Sequence, residues 1–162
     1  MSMVRPLWRP SGWVLGLALV AVAQTQPAQN PKQLRAYAKL EASAAKQHES
    51  KKADTLAKLA VLDFAMARVS FHAGDTATAL AQLDHVRQHA DQAGALLQLE
   101  AARGKTSHMR DVEMSLQKIT FGLQDLVHDV PLEQQPAVKS LTTRIANLRS
   151  QLLQWMFSPK KS

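Results

Sequence analysis

The stretch from Met109 to Trp155, MRDVEMSLQKITFGLQDLVHDVPLEQQPAVKSLTTRIANLRSQLLQW, contains two apolar series with the same spacing. In each series, large apolar residues follow one another at intervals of 3, 4, 3, 4 and 3 positions, and a short proline-containing segment separates the two series. A mean spacing of about 3.5 residues keeps one side of a helix facing a partner helix, and a short connection makes two such helices antiparallel neighbours. We therefore predict a C-terminal antiparallel coiled-coil hairpin over residues 107–157. The two series that form this seam are Met109, Val112, Leu116, Ile119, Leu123 and Leu126, followed by Val138, Leu141, Ile145, Leu148, Leu152 and Trp155.

The segment before this hairpin also favours helices. Neither glycine nor proline occurs from Lys32 to Ala73, and alanine, leucine, lysine and glutamine dominate there. These residues lose little side-chain freedom in a helix. Because the apolar pattern disappears over residues 46–55, this part forms either one long helix or two helices with a joint near residues 48–54.

Glycines mark the boundaries of the following helices. Gly74 ends the first helical part, since glycine tolerates the left-handed conformation of a helix C-cap. The next helix is expected to end near residues 91–94, and a further helical stretch covers residues 95–103. Gly104 then interrupts the apolar pattern again. Together with the C-terminal hairpin, these segments predict an all-α domain of four or five helices.

Residues 60–91 resemble one helix pair of the tetratricopeptide family. The matching positions are the small Ala67, the turn Gly74-Asp75, the small Ala79, and the apolar Leu83 and Val86. The chain departs from the family pattern at Asp63, where an aromatic residue is usual, and at Asp91, where proline is usual. The resemblance implies a closely packed helix pair and the binding of a peptide or protein partner. A repeat array normally needs about three units, so we expect one tetratricopeptide-like pair within a helical domain. As a whole the chain resembles uncharacterised exported bacterial all-helical proteins, which implies no activity.

The N-terminus has the features of a secretory signal peptide. Arg5 and Arg9 precede an apolar run at residues 13–22, and Ala21-Val22-Ala23 supplies small residues for cleavage before Gln24. The alternative is an uncleaved membrane anchor, but the run is shorter than the roughly 20 apolar residues that a spanning helix needs. We therefore expect a periplasmic or secreted protein.

This interpretation divides the chain into four parts. They are a signal peptide (1–23), a flexible leader (24–31), a helical domain (32–157) and a basic tail (158–162). The sequence has a formal net charge of +7 and no cysteine. The basic residues are spread over many helix positions, and few aromatic residues are present to stack on bases, so nucleic acid is not an expected partner.

The sequence lacks the motifs that would indicate an enzyme. It contains no glycine-rich phosphate loop, no Gly-x-Ser-x-Gly and no His-Glu-x-x-His. The sequence also shows no recognisable motif that pairs a nucleophile with a base. We expect neither catalysis nor a bound cofactor.

One group of residues suggests a metal site. His85 and His89 are four positions apart, so their imidazoles share one helix side. Antiparallel pairing through Gly74 places Asp63 opposite His85, and the three side chains together predict a site for Zn²⁺ or Cu²⁺. The alternative is that Asp63 pairs with His85 or Arg87, with His89 in solvent.

A second group suggests a docking surface. Met114 and Phe121 lie one heptad apart, opposite the C-terminal seam, and therefore need a second cover. Cover by the N-terminal helices is the favoured explanation, because large apolar patches are uncommon on monomers. The alternative is a partner protein or a second copy of the chain.

The leading functional prediction is an exported protein that binds or scaffolds another protein of the cell envelope. The candidate partner contacts are Tyr37, Phe71, Met114 and Phe121, and the runner-up function is a periplasmic zinc- or copper-binding protein. Membrane contact is expected, if at all, only at the C-terminal tail, where aromatic residues precede Lys160.

Overall fold

The computed structural model describes residues 30–157, and this range is all-helical and without strands. The predicted all-α domain of four or five helices is therefore confirmed. The predicted signal peptide (1–23), the leader up to residue 29 and the basic tail (158–162) lie outside the described residues. The five helices of the described range are α1 (Pro31–Ala44), α2 (Glu49–His72), α3 (Thr76–Ala102), α4 (Met109–Asp129) and α5 (Gln135–Phe157).

The helix ends follow from local chemistry. The Asn30 side chain accepts a hydrogen bond from the backbone N–H of Lys32. Proline, at the first position of α1, has no backbone N–H and therefore adds no unpaired donor to the helix start. At the start of α3, the Asp75 carboxylate accepts a hydrogen bond from the N–H of Thr78 at 3.0 Å. Gly74 adopts a φ of 77°, a left-handed turn that glycine forms without a steric cost.

Helices α2 to α5 form a four-helix bundle, and α1 packs along the outside of α2. The sequential pairs α2–α3 and α4–α5 are antiparallel hairpins, and the two hairpins lie side by side. The α3–α5 contact includes Asp91 with Arg144 and Gly94 with Leu148, so these two helices run in the same direction. The remaining side of the bundle is the α2–α4 contact, while α3 and α4 lie on a diagonal and barely touch.

The α4–α5 hairpin buries the predicted seam. All six seam residues of α4 are at most 1% exposed. In α5, four of the six are buried, whereas Leu148 and Trp155 are partly buried and pack against the core. Arg149 of α5 forms an ion pair with Glu113 of α4 at 2.5 Å, which agrees with the antiparallel arrangement.

In the N-terminal half, one feature decides between two sequence-based expectations and another differs from what the sequence predicts. Residues 31–72 form two helices joined at residues 45–48, slightly before the expected joint. The prediction that a helix ends near residues 91–94 is wrong, because α3 continues through Gly94 to Ala102. Gly94 is buried beneath the side chain of Leu148, and a Cβ at this position would require that side chain to shift. The glycine is therefore a point of close helix approach rather than a helix stop.

Candidate functional site

The described residues bring the predicted metal-site residues together at the α2–α3 contact. Asp63 lies in the middle of α2 and is 1% exposed, although its neighbours in the helix are mostly apolar. The turn at Gly74 folds α3 back along α2, so that positions 85 and 89, one helical turn apart, both face this carboxylate. A buried carboxylate needs hydrogen bonds or opposite charge to offset its lost hydration.

His89, rather than His85, is the direct partner of Asp63. The Nδ1 of His89 lies 2.8 Å from the Oδ2 of Asp63, a hydrogen bond in which the ring N–H donates and the carboxylate accepts. The Nδ1 of His85 lies 3.9 Å from the Oδ1 of Asp63, and the His85 side chain is largely exposed. The alternative that left His89 in solvent is thus wrong, since its side chain is only 19% exposed.

Tyr37 of α1 closes the group from the outside. Its ring centroid lies 6.4 Å from that of His89, and the ring is partly buried against the core. Burial, followed by the negative charges of Asp63 and Glu41 and by hydrogen bonding of the hydroxyl to Asp63, raises the pKa of Tyr37 to about 12. We call Tyr37, Asp63, His85 and His89 the Asp63 cluster.

The geometry of the Asp63 cluster resembles a buried hydrogen-bonded pair more than an assembled metal centre. Within residues 30–157, no group of three or more histidine, aspartate or glutamate side chains is placed to hold a metal ion. A metal held by both Asp63 and the Nδ1 of His89 would have to displace the proton between them, because a ligating nitrogen must be free of it. The Oδ1 of Asp63 is nevertheless buried without a hydrogen bond of standard geometry in the described structure. The metal site therefore stays a prediction.

The predicted partner contacts fall into two groups. Tyr37 and Phe71 are partly buried and pack against the core. Met114 and Phe121 are 43% and 54% exposed, so the expected cover by the N-terminal helices is wrong. The reason is the position of α4, which contacts α2 on one side and α5 on another, and therefore directs a third side into solvent.

Met114 and Phe121 differ from the other exposed apolar residues in sharing one helix. The large apolar side chains exposed within residues 30–157 are Leu34, Val69, Leu99, Met114, Phe121, Leu132 and Phe157. The five others lie on separate helices or in the α4–α5 loop. We call the side of α4 that carries Met114 and Phe121 the outer α4 face.

A groove between α3 and α5 was not anticipated from the sequence. Its floor is apolar, with Leu83 and Leu141, and its rim carries Arg87 and Arg144. Arg144 forms two hydrogen bonds to the carboxylate of Asp91, at 2.8 and 2.9 Å. No sequence motif indicates this pairing, because its partners are 53 positions apart and become neighbours only in the folded bundle. Since both arginines are already paired with aspartates, the groove offers no free charge to a ligand.

None of the helices in residues 30–157 combines the length and apolar content needed to cross a membrane. Comparison of the chain with protein-family models, with curated proteins and with solved structures finds no match. The candidate sites therefore rest on the physical features of this chain.

Proposed function

We propose that this protein is an exported, non-enzymatic interaction or scaffold protein, which binds a protein partner through the outer α4 face. The observation that carries this proposal is the exposure of Met114 and Phe121 on one side of a helix whose opposite side is fully buried. An aromatic and a methionine side chain at this spacing suit a helix-in-groove or helix-on-helix contact. Both residue types are enriched at protein interfaces.

Export is the second part of the proposal. The basic, apolar and small-residue segments of residues 1–23 support cleavage near Ala23 and a periplasmic or secreted location. The absence of cysteine from the sequence means that the fold needs no disulfide in such a compartment. The expected partner is a protein of the cell envelope, and neither nucleic acid nor a cofactor is required.

Site-specific photo-crosslinking in the producing cell tests the proposal. A photoreactive phenylalanine analogue at position 121 should give a discrete crosslinked species. The same analogue at position 99 is the matched control, because Leu99 is 51% exposed on a different helix. Equal crosslinking from both positions, or none from position 121, would contradict a role for the outer α4 face.

The alternative function, binding of zinc or copper, is supported by the approach of both His85 and His89 to the buried carboxylate of Asp63. Calorimetric titration of the purified chain with Zn²⁺ and Cu²⁺ tests it. A real site at the Asp63 cluster requires that His85→Ala and His89→Ala each weaken binding at least about tenfold, because each removes one of three ligands. Unchanged binding in both variants would remove the metal alternative.

A further inference from the structure

The charges on the outer α4 face have no partners of their own within the described residues. Arg110, Lys118 and Asp125 are exposed on α4, and none forms an ion pair there. By contrast, Asp84, Arg87, Asp91 and Arg144 on the α3–α5 side pair with one another. The outer α4 face thus combines uncovered apolar side chains with unpaired charges of both signs.

These residues are arranged symmetrically along the helix. Met114 and Phe121 are equidistant from the midpoint between Gln117 and Lys118, and Arg110 and Asp125 are also equidistant from it. The successive spacings of 4, 7 and 4 positions keep Arg110, Met114, Phe121 and Asp125 on one side of the helix. A helix that meets its own copy across a two-fold axis at this midpoint runs antiparallel to it.

We propose that the outer α4 face binds a second copy of this chain, with the two α4 helices antiparallel about the midpoint between Gln117 and Lys118. In this arrangement Met114 of one copy faces Phe121 of the other, and Arg110 of one copy faces Asp125 of the other. Each contact occurs twice because of the symmetry. The alignment that pairs the apolar residues also pairs Arg110 with Asp125, whereas Lys118 lies beside its own copy near the two-fold axis.

This inference rests on the proposed function, because it names the partner of the same surface. A contact formed by one helix from each copy should bury less surface than the about 1,200 Å² at the lower end of standard protein interfaces. We therefore expect weak association. The measurement is therefore sedimentation equilibrium of the purified chain over roughly 1 μM to 1 mM. A monomer–dimer equilibrium is the expected result for the wild-type chain.

Charge reversal gives a test that only this arrangement passes. Arg110→Asp and Asp125→Arg should each raise the dissociation constant about tenfold, because like charges then face each other twice. A mixture of the two variants should associate within about twofold of the wild type, since both pairs between positions 110 and 125 are again opposite in charge. Lys139→Asp, on the exposed side of α5, is the matched control and should change nothing.

Phe121→Ser provides an independent variant, expected to raise the dissociation constant at least about tenfold. Phe121 is exposed, so the variant should keep its helical circular dichroism. A chain that is monomeric at every concentration overturns the inference. A dimer insensitive to these variants, or one that the mixture does not restore, also overturns it. In those cases a crosslink from position 121 to a different protein still supports the proposed function.

Discussion

The two hairpins of the bundle are held together by different side chains. In the α4–α5 hairpin the buried residues are mainly leucine, isoleucine, valine and methionine. In the α2–α3 hairpin alanine is as frequent among them as the larger apolar residues, and buried polar groups lie among them. Ser70, for example, donates a hydrogen bond to the Gln82 side chain at 3.1 Å within this contact. The comparison shows that a periodic apolar seam can define one helix pair, whereas small residues and specific polar contacts define the other.

The largest expected effect lies in the apolar seam. Leu116 is completely buried at the centre of the α4–α5 hairpin. Leu116→Ala should lower the free energy of unfolding by about 3 kcal/mol, because it removes apolar contact and leaves a cavity. Urea unfolding followed by circular dichroism measures the change. Met114→Ala, two positions away on the exposed side, is the control and should change stability by less than about 0.5 kcal/mol. Similar losses in both variants would contradict the burial pattern of α4.

An intermediate effect is expected in the polar contact of the other hairpin. His89→Leu removes the hydrogen bond to the buried Asp63 carboxylate and should cost about 1–3 kcal/mol. In a double-mutant cycle, His89→Leu with Asp63→Leu should show a coupling energy of at least about 1 kcal/mol. The exposed pair Asp84 and Arg87 provides the matched cycle, with expected coupling of about 0.5 kcal/mol or less. Equal coupling in the two cycles would mean that burial adds nothing to the Asp63–His89 contact.

The last expected effect is a shift in the titration of Tyr37, which tests how closely α1 covers the α2–α3 hairpin. Tyr37 is the single tyrosine of the chain, so phenolate absorbance near 295 nm reports on it alone. The folded chain should titrate with a pKa of about 12, against 10.0 when unfolded in urea. Because the folded value is raised, this contribution to stability is complete below about pH 10 and is lost as the pH rises towards 12.

Asp63→Asn sharpens this test, since it removes one of the charges that raise the pKa of Tyr37. The variant should titrate at a lower pH than the wild type, but still above the unfolded value, because burial is the largest cause of the shift. A folded wild-type chain that titrates near pH 10 would show that α1 does not hold Tyr37 against the α2–α3 hairpin.

The contrast between the hairpins also explains how much of the fold could be predicted from the sequence. The α4–α5 seam was predictable because its apolar residues recur at regular intervals within each helix. The turn at Gly74 was predictable because glycine tolerates the left-handed backbone conformation. The continuation of α3 through Gly94 was not, because the space above that glycine is filled by Leu148, which is distant in sequence.

The candidate sites were predictable to a smaller extent. Helical spacing placed His85 and His89 on one side of α3, but could not decide which ring approaches Asp63. That choice depends on the register of α2 against α3, because His85 and His89 are only one helical turn apart. Likewise, the spacing of Met114 and Phe121 identified a second apolar side of α4, but not which element, if any, covers it.

Gly122 has a consequence for the position of its neighbour. A Cβ at residue 122 would overlap the ring of Phe64 on α2, so this glycine lets the two hairpins approach closely. Successive helix residues are about 100° apart around the axis. With position 122 directed at α2 and position 123 buried in the core, position 121 is directed outwards. If α4 were rotated to bury Phe121, the ring of Phe121 would meet that of Phe64. The close approach that glycine allows at position 122 therefore also leaves Phe121 on the surface.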